Sequence, residues 1–279
     1  MDRVKKKKVY DLLRLAVQIV FFIVFPSAFA SAFTSVKEIF TAFSKGAELS
    51  WTPFAKTAVF LLAFTIIFGR FFCGYACAFG SLGDWVYKAS AFIQKKTGKK
   101  IPGIPKQAVK YMQCLKYLVL SAVILFCYLG HSSDVNQNSP WTVFSMLISG
   151  KLPGQEYLVA GILFILIIVG MAVQERFFCQ FLCPMGAIFS LLPVLPTGQL
   201  VRDTEKCIHG CSICERGCPV ALKLNENDMR DGECIRCNKC IAYCPRGSIT
   251  AGHIPFDAAS PVLVVIQAAA LLIVLKFVI

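Results

Sequence analysis

The sequence predicts a mostly α-helical membrane protein that carries a small cysteine-rich α+β domain. Hydrophobic residues make up 56% of the 279 residues, and most of the cysteines cluster in one polar segment. Five apolar runs approach the roughly 20 residues that span a bilayer. These runs are Leu15–Phe33, Pro53–Phe68, Leu118–Gly130, Tyr157–Val173 and Pro261–Ile279.

The third run is short, and one lysine decides whether it can span a membrane. It reaches spanning length if it starts near Tyr111 and if Lys116 extends its ammonium group to the interface. We therefore predict about five spanning helices, the last of which follows the polar segment.

The net charge of +13 is distributed as in a membrane protein. Lysines precede the first apolar run and fill the segment between the second and third runs, including the basic stretch 95–100, which we interpret as a solvated face. The segments after the first and third runs contain few lysines. The positive-inside rule then places the N-terminus and residues 200–252 in the cytosol and the C-terminus outside. We expect a multi-pass protein of a bacterial-type cytoplasmic (inner) membrane, with no nucleic-acid partner.

The chain contains an internal repeat. Arg70–Cys77 and Arg176–Cys183 both read R-F-F-C-x-x-x-C at an offset of 106 residues. Residues 40–44 also match Trp141–Ser145, at an offset of 101. Chance recurrence of an aromatic motif is the alternative, but the arginine, cysteine and following glycine positions all coincide. Both copies end a helix that returns inward, so the repeats are parallel and related by a pseudo-twofold axis along the membrane normal.

The repeat defines the predicted domains. Residues 1–200 form the membrane domain, with repeats at 10–81 and 111–187. Residues 201–252 form the cysteine-rich domain, and residues 253–279 form a C-terminal spanning helix.

Local sequence predicts different surroundings for the two motif copies. Gly80–Asp84 should break the helix after the first copy, with an interfacial helix over Trp85–Lys96. Pro184 suits the first turn of a helix, which would put Cys183 at a positive helix end that favours thiolate. Ala78 replaces that proline in the first copy, so the same argument is weaker for Cys77.

The polar segment holds eight of the fourteen cysteines, in two runs that each end in Cys-Pro. The second run has the spacing C-x2-C-x2-C-x3-C-P, which is typical of bacterial ferredoxins, where the fourth cysteine of each run ligates the other cluster. The sequence therefore predicts two [4Fe–4S] clusters in a dicluster ferredoxin domain. One cluster would be held by Cys207, Cys211, Cys214 and Cys244, and the other by Cys234, Cys237, Cys240 and Cys218.

Other uses of these cysteines fit less well. The first run has an extra residue between Cys207 and Cys211, which leaves the role of Cys207 open. Its C-x3-C-x2-C spacing also occurs in radical-SAM enzymes, but the chain has no barrel-sized soluble domain. Disulfides conflict with a cytosolic location. Structural zinc sites usually use two separated C-x2-C pairs.

The two membrane-edge motifs supply four further thiols, Cys73, Cys77, Cys179 and Cys183. In a helix, C-x3-C places both sulfurs on one face. Two such pairs give the ligand count of one cluster, and Arg70 and Arg176 would offset its negative charge. The sequence therefore predicts a third iron–sulfur cluster or another metal there. The alternative is that these cysteines are small buried hydrophobes, which is our interpretation of Cys114 and Cys127.

The sequence has no mid-span histidine and no G-x-G-x-x-G nucleotide motif. A flavin or haem would therefore belong to a partner protein on the outer face. His131, Asp134 and Glu156 lie near the aromatic segment Trp141–Phe144 on the predicted outer side. They could border a quinone head group, or they are solvated loop residues.

These motifs together resemble a known family. Membrane helices with two C-x3-C motifs, followed by a dicluster ferredoxin segment, resemble the NapH/MauN group of ferredoxin-type membrane proteins. The C-terminal part of NosR and the assembly protein CcoG are similar. The chain departs from the group's pattern at Ala78, at the lengthened Cys207 spacing and in its fifth apolar run.

The resemblance implies electron transfer between the quinone pool or cytosolic donors and an outer-face redox partner. The chain would then be an electron-transfer subunit, and a role as the quinol dehydrogenase or oxidoreductase subunit of a complex stays open. The alternatives are an assembly or metal-reducing factor for a respiratory metalloenzyme, or a ferredoxin-docking membrane anchor.

Overall fold

The computed structural model describes residues 3–26, 30, 33–34, 37–38, 40–41, 53–99, 101–195, 199–208, 210–222, 232–251 and 261–278. Most of them are helical. The α-helices are α1 Arg3–Val24, α2 Pro53–Phe68, α3 Ala78–Thr97, α4 Lys106–Met112, α5 Leu115–Tyr128, α6 Ser132–Gln137, α7 Pro140–Ile148, α8 Leu158–Val173, α9 Phe177–Phe181, α10 Pro184–Leu191, α11 Ile213–Arg216, α12 Lys239–Tyr243 and α13 Pro261–Val278. A π-helix covers Phe72–Ala76, a 3₁₀ turn Gln155–Tyr157, and two strands are β1 Leu200–Arg202 and β2 Ile249–Ala251.

The chain divides into two compact units. The first comprises Met1–Val24, Phe60–Ala76 and Phe189–Phe277, and the second comprises Phe25–Val59, Cys77–Ile188 and Val278–Ile279. Each unit contains residues that precede the first cysteine motif in the sequence and residues that follow it. The domain boundaries at residues 200 and 252 stay predictions.

Two helical stretches are long and apolar enough to cross a membrane, Gln107–Tyr128 and Gln155–Val173. Two shorter apolar helices cover Lys56–Phe68 and Pro261–Lys276. These helices are consistent with a membrane protein, while the count of five spans and the parallel repeat stay predictions. Residues 42–44, which carry part of the predicted outer-loop match, lie outside the described residues.

Lys116 does not extend to an interface as the sequence predicted. Its side chain is buried, and its ammonium group lies 5.1 Å from the centre of the Tyr117 ring. The prediction was wrong because the protein itself covers this side of the helix, and an aromatic face partly replaces water around the cation.

The cysteine-rich part of the first unit is built around a two-stranded sheet. Strands β1 and β2 pair antiparallel, with Val201 opposite Thr250. The buried core beside them consists of Leu200, Cys214, Val220, Leu222, Ile235, Cys240, Ile241 and Ile249. Leu263 of α13 packs against this core. The first unit is therefore an α+β domain joined to apolar helices.

Helix α1 begins well before the first apolar run and packs against this domain. The Tyr243 hydroxyl of α12 donates to the Asp11 carboxylate at 3.1 Å, and the Lys7 ammonium group lies 4.4 Å from the Tyr243 ring centre. The polar first half of α1 thus has a structural partner within the first unit.

The predicted helix break at Gly80–Asp84 was wrong, because α3 runs through it from Ala78 to Thr97. Helix α3 packs along α8 in the second unit. A Cβ at Gly83 would meet the Met171 side chain at 3.5 Å, which is ordinary contact distance. Two helical glycines each cost about 1 kcal/mol in propensity, and tight packing against α8 outweighs that cost.

Candidate metal centres

Four of the eight cysteines of the polar segment line one cavity. These four are Cys207, Cys211, Cys214 and Cys244. This group contains three cysteines from the first run and the last cysteine of the second. Cys207, whose role the spacing left open, belongs to the group.

Polar groups prepare two of these sulfurs to carry negative charge. Arg202 lies with Nη2 3.3 Å from the Cys207 sulfur, and the Ser248 hydroxyl lies 3.2 Å from the Cys244 sulfur. Burial raises the pKa of Cys244, but hydrogen bonds from Ser248 and from backbone N–H groups outweigh it and hold the pKa below its ordinary value. A lowered pKa favours the thiolate, which is the form that binds iron.

The other four cysteines line a second cavity. These four are Cys218, Cys234, Cys237 and Cys240. Burial raises the pKa of Cys218 to about 12 and that of Cys240 well above its ordinary value. Because thiolates are the ligands, cluster assembly here must displace protons that the protein alone would retain.

Arg236 supports an anionic group at this second cavity. Its side chain is buried, and its Nη1 atom has no hydrogen-bond partner among the residues that the structure describes. Burial lowers the pKa of Arg236, whereas the Cys234 and Cys240 thiolates raise it. Arg236 is thus a buried cation that interacts with two of the four cysteines, which fits a negatively charged cluster.

Single metal ions fit the cysteines less well. Within the described ranges, no group of three or more His, Cys, Asp or Glu side chains is close enough to hold one ion. A [4Fe–4S] cluster binds each thiolate through a different iron, so its sulfur ligands lie farther apart than those around one zinc ion. The donor set therefore fits iron–sulfur clusters.

The four membrane-edge cysteines are divided between the two units. Cys73 lies in the first unit and packs against the core of the cysteine-rich domain. Cys77, Cys179 and Cys183 are buried in the second unit. That the four form one centre stays a prediction.

The second cysteine of each motif caps the following helix. The Gly80 N–H donates to the Cys77 sulfur at 3.4 Å, and the Gly186 N–H donates to the Cys183 sulfur at 3.2 Å. Both sulfurs therefore lie at a positive helix end, which favours thiolate. The prediction that this argument is weaker for Cys77 was wrong, because Ala78 begins a helix as Pro184 does.

The spacing predicted that the two cysteines of a motif share one helix face, and this prediction was wrong. In the first copy Cys73 lies in the π-helix, and Cys77 caps the next helix. In the second copy Cys179 lies in α9, which ends at Phe181, and Cys183 precedes α10. The chain turns between the two cysteines, since the second one must point its sulfur at the N–H groups of a new helix.

The first copy contacts the second ferredoxin run through its backbone and through Arg70. A Cβ on Gly74 would lie 2.4 Å from the carbonyl oxygen of Ile235, so only glycine fits. Arg70 donates from Nη1 to the Gly232 carbonyl at 2.8 Å and lies 3.6 Å from the Glu233 carboxylate. These two partners of Arg70 belong to the loop that leads into Cys234.

Tyr75 adds a polar contact to the same loop. Its hydroxyl donates to the Cys237 carbonyl at 3.3 Å, and the Asn238 amide lies 3.4 Å away. The first copy therefore holds Cys73 against the part of the domain that carries Cys234 and Cys237.

The second copy makes a buried ion pair in the second unit. Arg176 donates from Nε and Nη2 to the two carboxylate oxygens of Asp84, each at 2.7 Å. The two side chains are 0% and 1% exposed. Burial lowers the pKa of Arg176, but Asp84, Cys179 and Cys77 raise it by a larger amount. The pKa therefore lies above its ordinary value.

Asp84 is a site residue that the sequence analysis missed. It was assigned to a helix break, so its side chain had no predicted role. A signal was available, because Asp84 follows Cys77 by seven residues, which is two turns of one helix and therefore the same face.

The second unit also contains a large, mostly apolar cavity of about 640 Å³. Side chains from α5, α8 and α9 line it, with Asp134, Asn138, Ser139 and Trp141 at the polar part. His131 lies 2.9 Å from the Asp134 carboxylate. Of the residues predicted near a quinone head group, Asp134 and Trp141 line the cavity, whereas His131 and Glu156 do not.

Comparison with known proteins gives matches over much of the chain. A family model described as "4Fe-4S binding domain" matches residues 56–100 and 158–195, which contain the two membrane-edge motifs. An uncharacterized protein of Methanocaldococcus jannaschii is 31% identical over 218 residues, covering 78% of each chain. No solved structure matches the chain significantly.

Two named relatives are more distant. The putative electron transport protein YccM of Escherichia coli is 25% identical over 74% of this chain and 58% of its own. The methylamine utilization ferredoxin-type protein MauN of Methylobacillus flagellatus is 26% identical over 63% of this chain and 62% of its own. With its cysteine motifs and the cavities that they line, the chain belongs to the NapH/MauN-type family of ferredoxin-like membrane proteins.

Proposed function

We propose that this chain is a membrane-bound iron–sulfur protein that transfers electrons between cytosolic donors and a quinone or an outer-face redox partner. The observation that carries this proposal is the division of eight thiols between two cavities. Each cavity combines three cysteines of one run with the last cysteine of the other. This crossed pattern is the ligand pattern of dicluster ferredoxins.

Each cluster, when bound, would supply reversible one-electron chemistry. The residues around the cysteines suit that role. Arg202 and Arg236 bring positive charge to the sulfurs of the two cavities. The buried core, which includes Ile235 and Ile249, limits the access of water. Water exclusion and charge placement are the means by which a protein adjusts a cluster's potential.

A third centre at the membrane-edge cysteines is the finer part of the proposal. Two features support it. The family model described as "4Fe-4S binding domain" matches both motif copies rather than the ferredoxin segment. In addition, Cys77 and Cys183 each accept a helix N-terminal N–H group.

Iron and sulfide analysis of the purified full chain tests the number of centres. Three [4Fe–4S] clusters require about twelve iron atoms per chain, and two require about eight. Redox titration followed by EPR should resolve three centres. Labile copper at the four membrane-edge cysteines would instead support an assembly or metal-reducing factor, and only two clusters would support a docking anchor.

Paired serine variants test the crossed ligand assignment. Cys244→Ser should perturb the centre that contains Cys207, and Cys218→Ser should perturb the centre that contains Cys237. A matched control is Cys114→Ser, since Cys114 is exposed and belongs to no cavity described above. If Cys244→Ser instead disturbs the same centre as Cys237→Ser, the crossed assignment is wrong.

The large cavity of the second unit favours a quinone as the lipophilic partner. Its lining is mostly apolar, as a ring and an isoprenoid chain require, and Asp134, Asn138 and Ser139 offer polar contacts to a head group. Phe178, which adjoins Cys179 in the sequence, belongs to the same lining. The cavity therefore extends to the helix that carries the second motif.

Filling this cavity tests the quinone assignment. Val123→Trp should abolish reduction of the clusters by an added short-chain quinol, because Val123 lines the cavity. Val159→Trp is the matched control, since Val159 is exposed and lies outside the lining. Equal rates of quinol-dependent reduction in both variants would rule out this cavity.

A further inference from the structure

The buried ion pair of Arg176 and Asp84 lies close in the sequence to two of the membrane-edge cysteines. Arg176 precedes Cys179 by three residues and caps α9 with a left-handed backbone, at φ 61°. Asp84 lies on α3, the helix whose N-terminus Cys77 caps. The pair therefore joins the chain segments that carry one cysteine from each motif copy.

The charges of the pair bear on these cysteines. Both side chains are fully buried, so solvent does not screen them. Arg176 interacts electrostatically with Cys77 and Cys179. A charge that water does not screen acts more strongly on neighbouring groups than an exposed one, so the pair can shift a one-electron equilibrium at these sulfurs.

The sequence predicts a simpler role for Arg176, as a cation that offsets the negative charge of the centre. The structure adds a carboxylate that binds the guanidinium through both of its oxygens. The net charge of the pair is zero, with the cation being the member that interacts with Cys77 and Cys179. The cysteines thus experience a fixed dipole rather than a full positive charge.

We infer that Asp84 is a positioning residue that sets the reduction potential of the membrane-edge centre, by fixing the Arg176 guanidinium and compensating its charge. This inference rests on the proposed third centre. Without Asp84, a full positive charge would act on the centre and stabilise its reduced, more negative state. The potential would rise. Without Arg176 the stabilising cation would be lost, and the potential would fall whether Asp84 is ionised or protonated.

Redox titration of the full chain by EPR tests this inference. In Asp84→Asn the ratio of reduced to oxidised membrane-edge centre should increase at least tenfold at fixed poise, which is about 59 mV for one electron. In Arg176→Gln the ratio should decrease, and the double variant should lie between the two single variants. The ferredoxin centres serve as an internal control, because the cysteines whose charges act on Arg176 are Cys77 and Cys179.

The possible outcomes separate this inference from the proposed function. A third centre whose potential does not change in Asp84→Asn would overturn the inference and leave the proposed function intact. Absence of a third centre in the unmodified protein would overturn the proposed function itself. If Asp84→Asn does not accumulate, Arg176→Gln decides alone: a lowered potential supports the inference, and an unchanged or raised potential contradicts it.

Discussion

The two copies of R-F-F-C-x-x-x-C share a sequence but not a structure. The first is a π-helix whose arginine, glycine and tyrosine contact the ferredoxin loop around Ile235. The second is an α-helix whose arginine binds Asp84 through both carboxylate oxygens. Their second cysteines nevertheless make the same cap. The cysteine cap is therefore the structural feature that the two copies share, while their other contacts differ.

Two positions that differ between the copies also make different contacts. Gly74 corresponds to Gln180, and Tyr75 corresponds to Phe181. Gly74 allows a backbone approach that glutamine would block, and Tyr75 has a hydroxyl that phenylalanine lacks. Exchanging these residues between the copies tests whether they account for the different contacts of the two copies.

The largest difference is expected between the two arginines. Arg176→Gln leaves a buried carboxylate without its cation and should cost about 3–5 kcal/mol in the free energy of unfolding. Arg70→Gln should cost less, because its partner Glu233 is 3.6 Å away and partly exposed. Thermal unfolding in detergent would measure both. If Arg70→Gln is the more destabilising variant, this comparison of the two copies is wrong.

The next largest effect is expected at Gly74. In Gly74→Ala the new methyl group would lie 2.4 Å from the Ile235 carbonyl oxygen, and backbone cannot move aside as a flexible side chain can. The expected cost is about 1–3 kcal/mol, with loss of iron from the centre that contains Cys234. Iron analysis and unfolding midpoints measure the two effects.

Gly161→Ala provides the matched control for this substitution. Gly161 is also helical, but a Cβ there would meet nothing within 4 Å. Its iron content should equal that of the unmodified protein. An equal loss of iron in both variants would show that close packing at Gly74 is not the cause.

The smallest effect is expected from the tyrosine–phenylalanine exchange. Tyr75→Phe removes the hydrogen bonds to Cys237 and Asn238 and should cost about 1 kcal/mol. The reciprocal Phe181→Tyr buries a hydroxyl at a fully buried position and should cost about 1–3 kcal/mol. The unfolding midpoint of Tyr75→Phe should therefore lie above that of Phe181→Tyr.

The sequence predicted the grouping of the ferredoxin cysteines better than the local backbone. The spacing of the cysteine runs predicted which four thiols would share each cavity, because ligand spacing in a ferredoxin fold is local and repetitive. The π-helix at Phe72–Ala76 and the continuous helix through Gly80–Asp84 were not predicted. Both depend on packing against distant residues, Ile235 for Gly74 and Met171 for Gly83.

The sequence alone also did not predict that the side chains of Lys116 and Asp84 are buried. Because charged residues are seldom fully buried, the sequence predicted that Lys116 reaches the interface. It likewise predicted that Asp84 lies in a helix break. Their burial becomes intelligible only with the Tyr117 ring and the Arg176 guanidinium in place. Such pairing joins positions that no short sequence window contains.

The central claim is that the two motif copies together hold a redox centre distinct from the ferredoxin clusters. Its most direct test is EPR spin and iron quantification in the variant with serine at Cys73, Cys77, Cys179 and Cys183. We predict the loss of one centre and about four iron atoms per chain, with both ferredoxin signals retained. Unchanged iron and unchanged spectra, with all four cysteines freely alkylated in the unmodified protein, would contradict the claim.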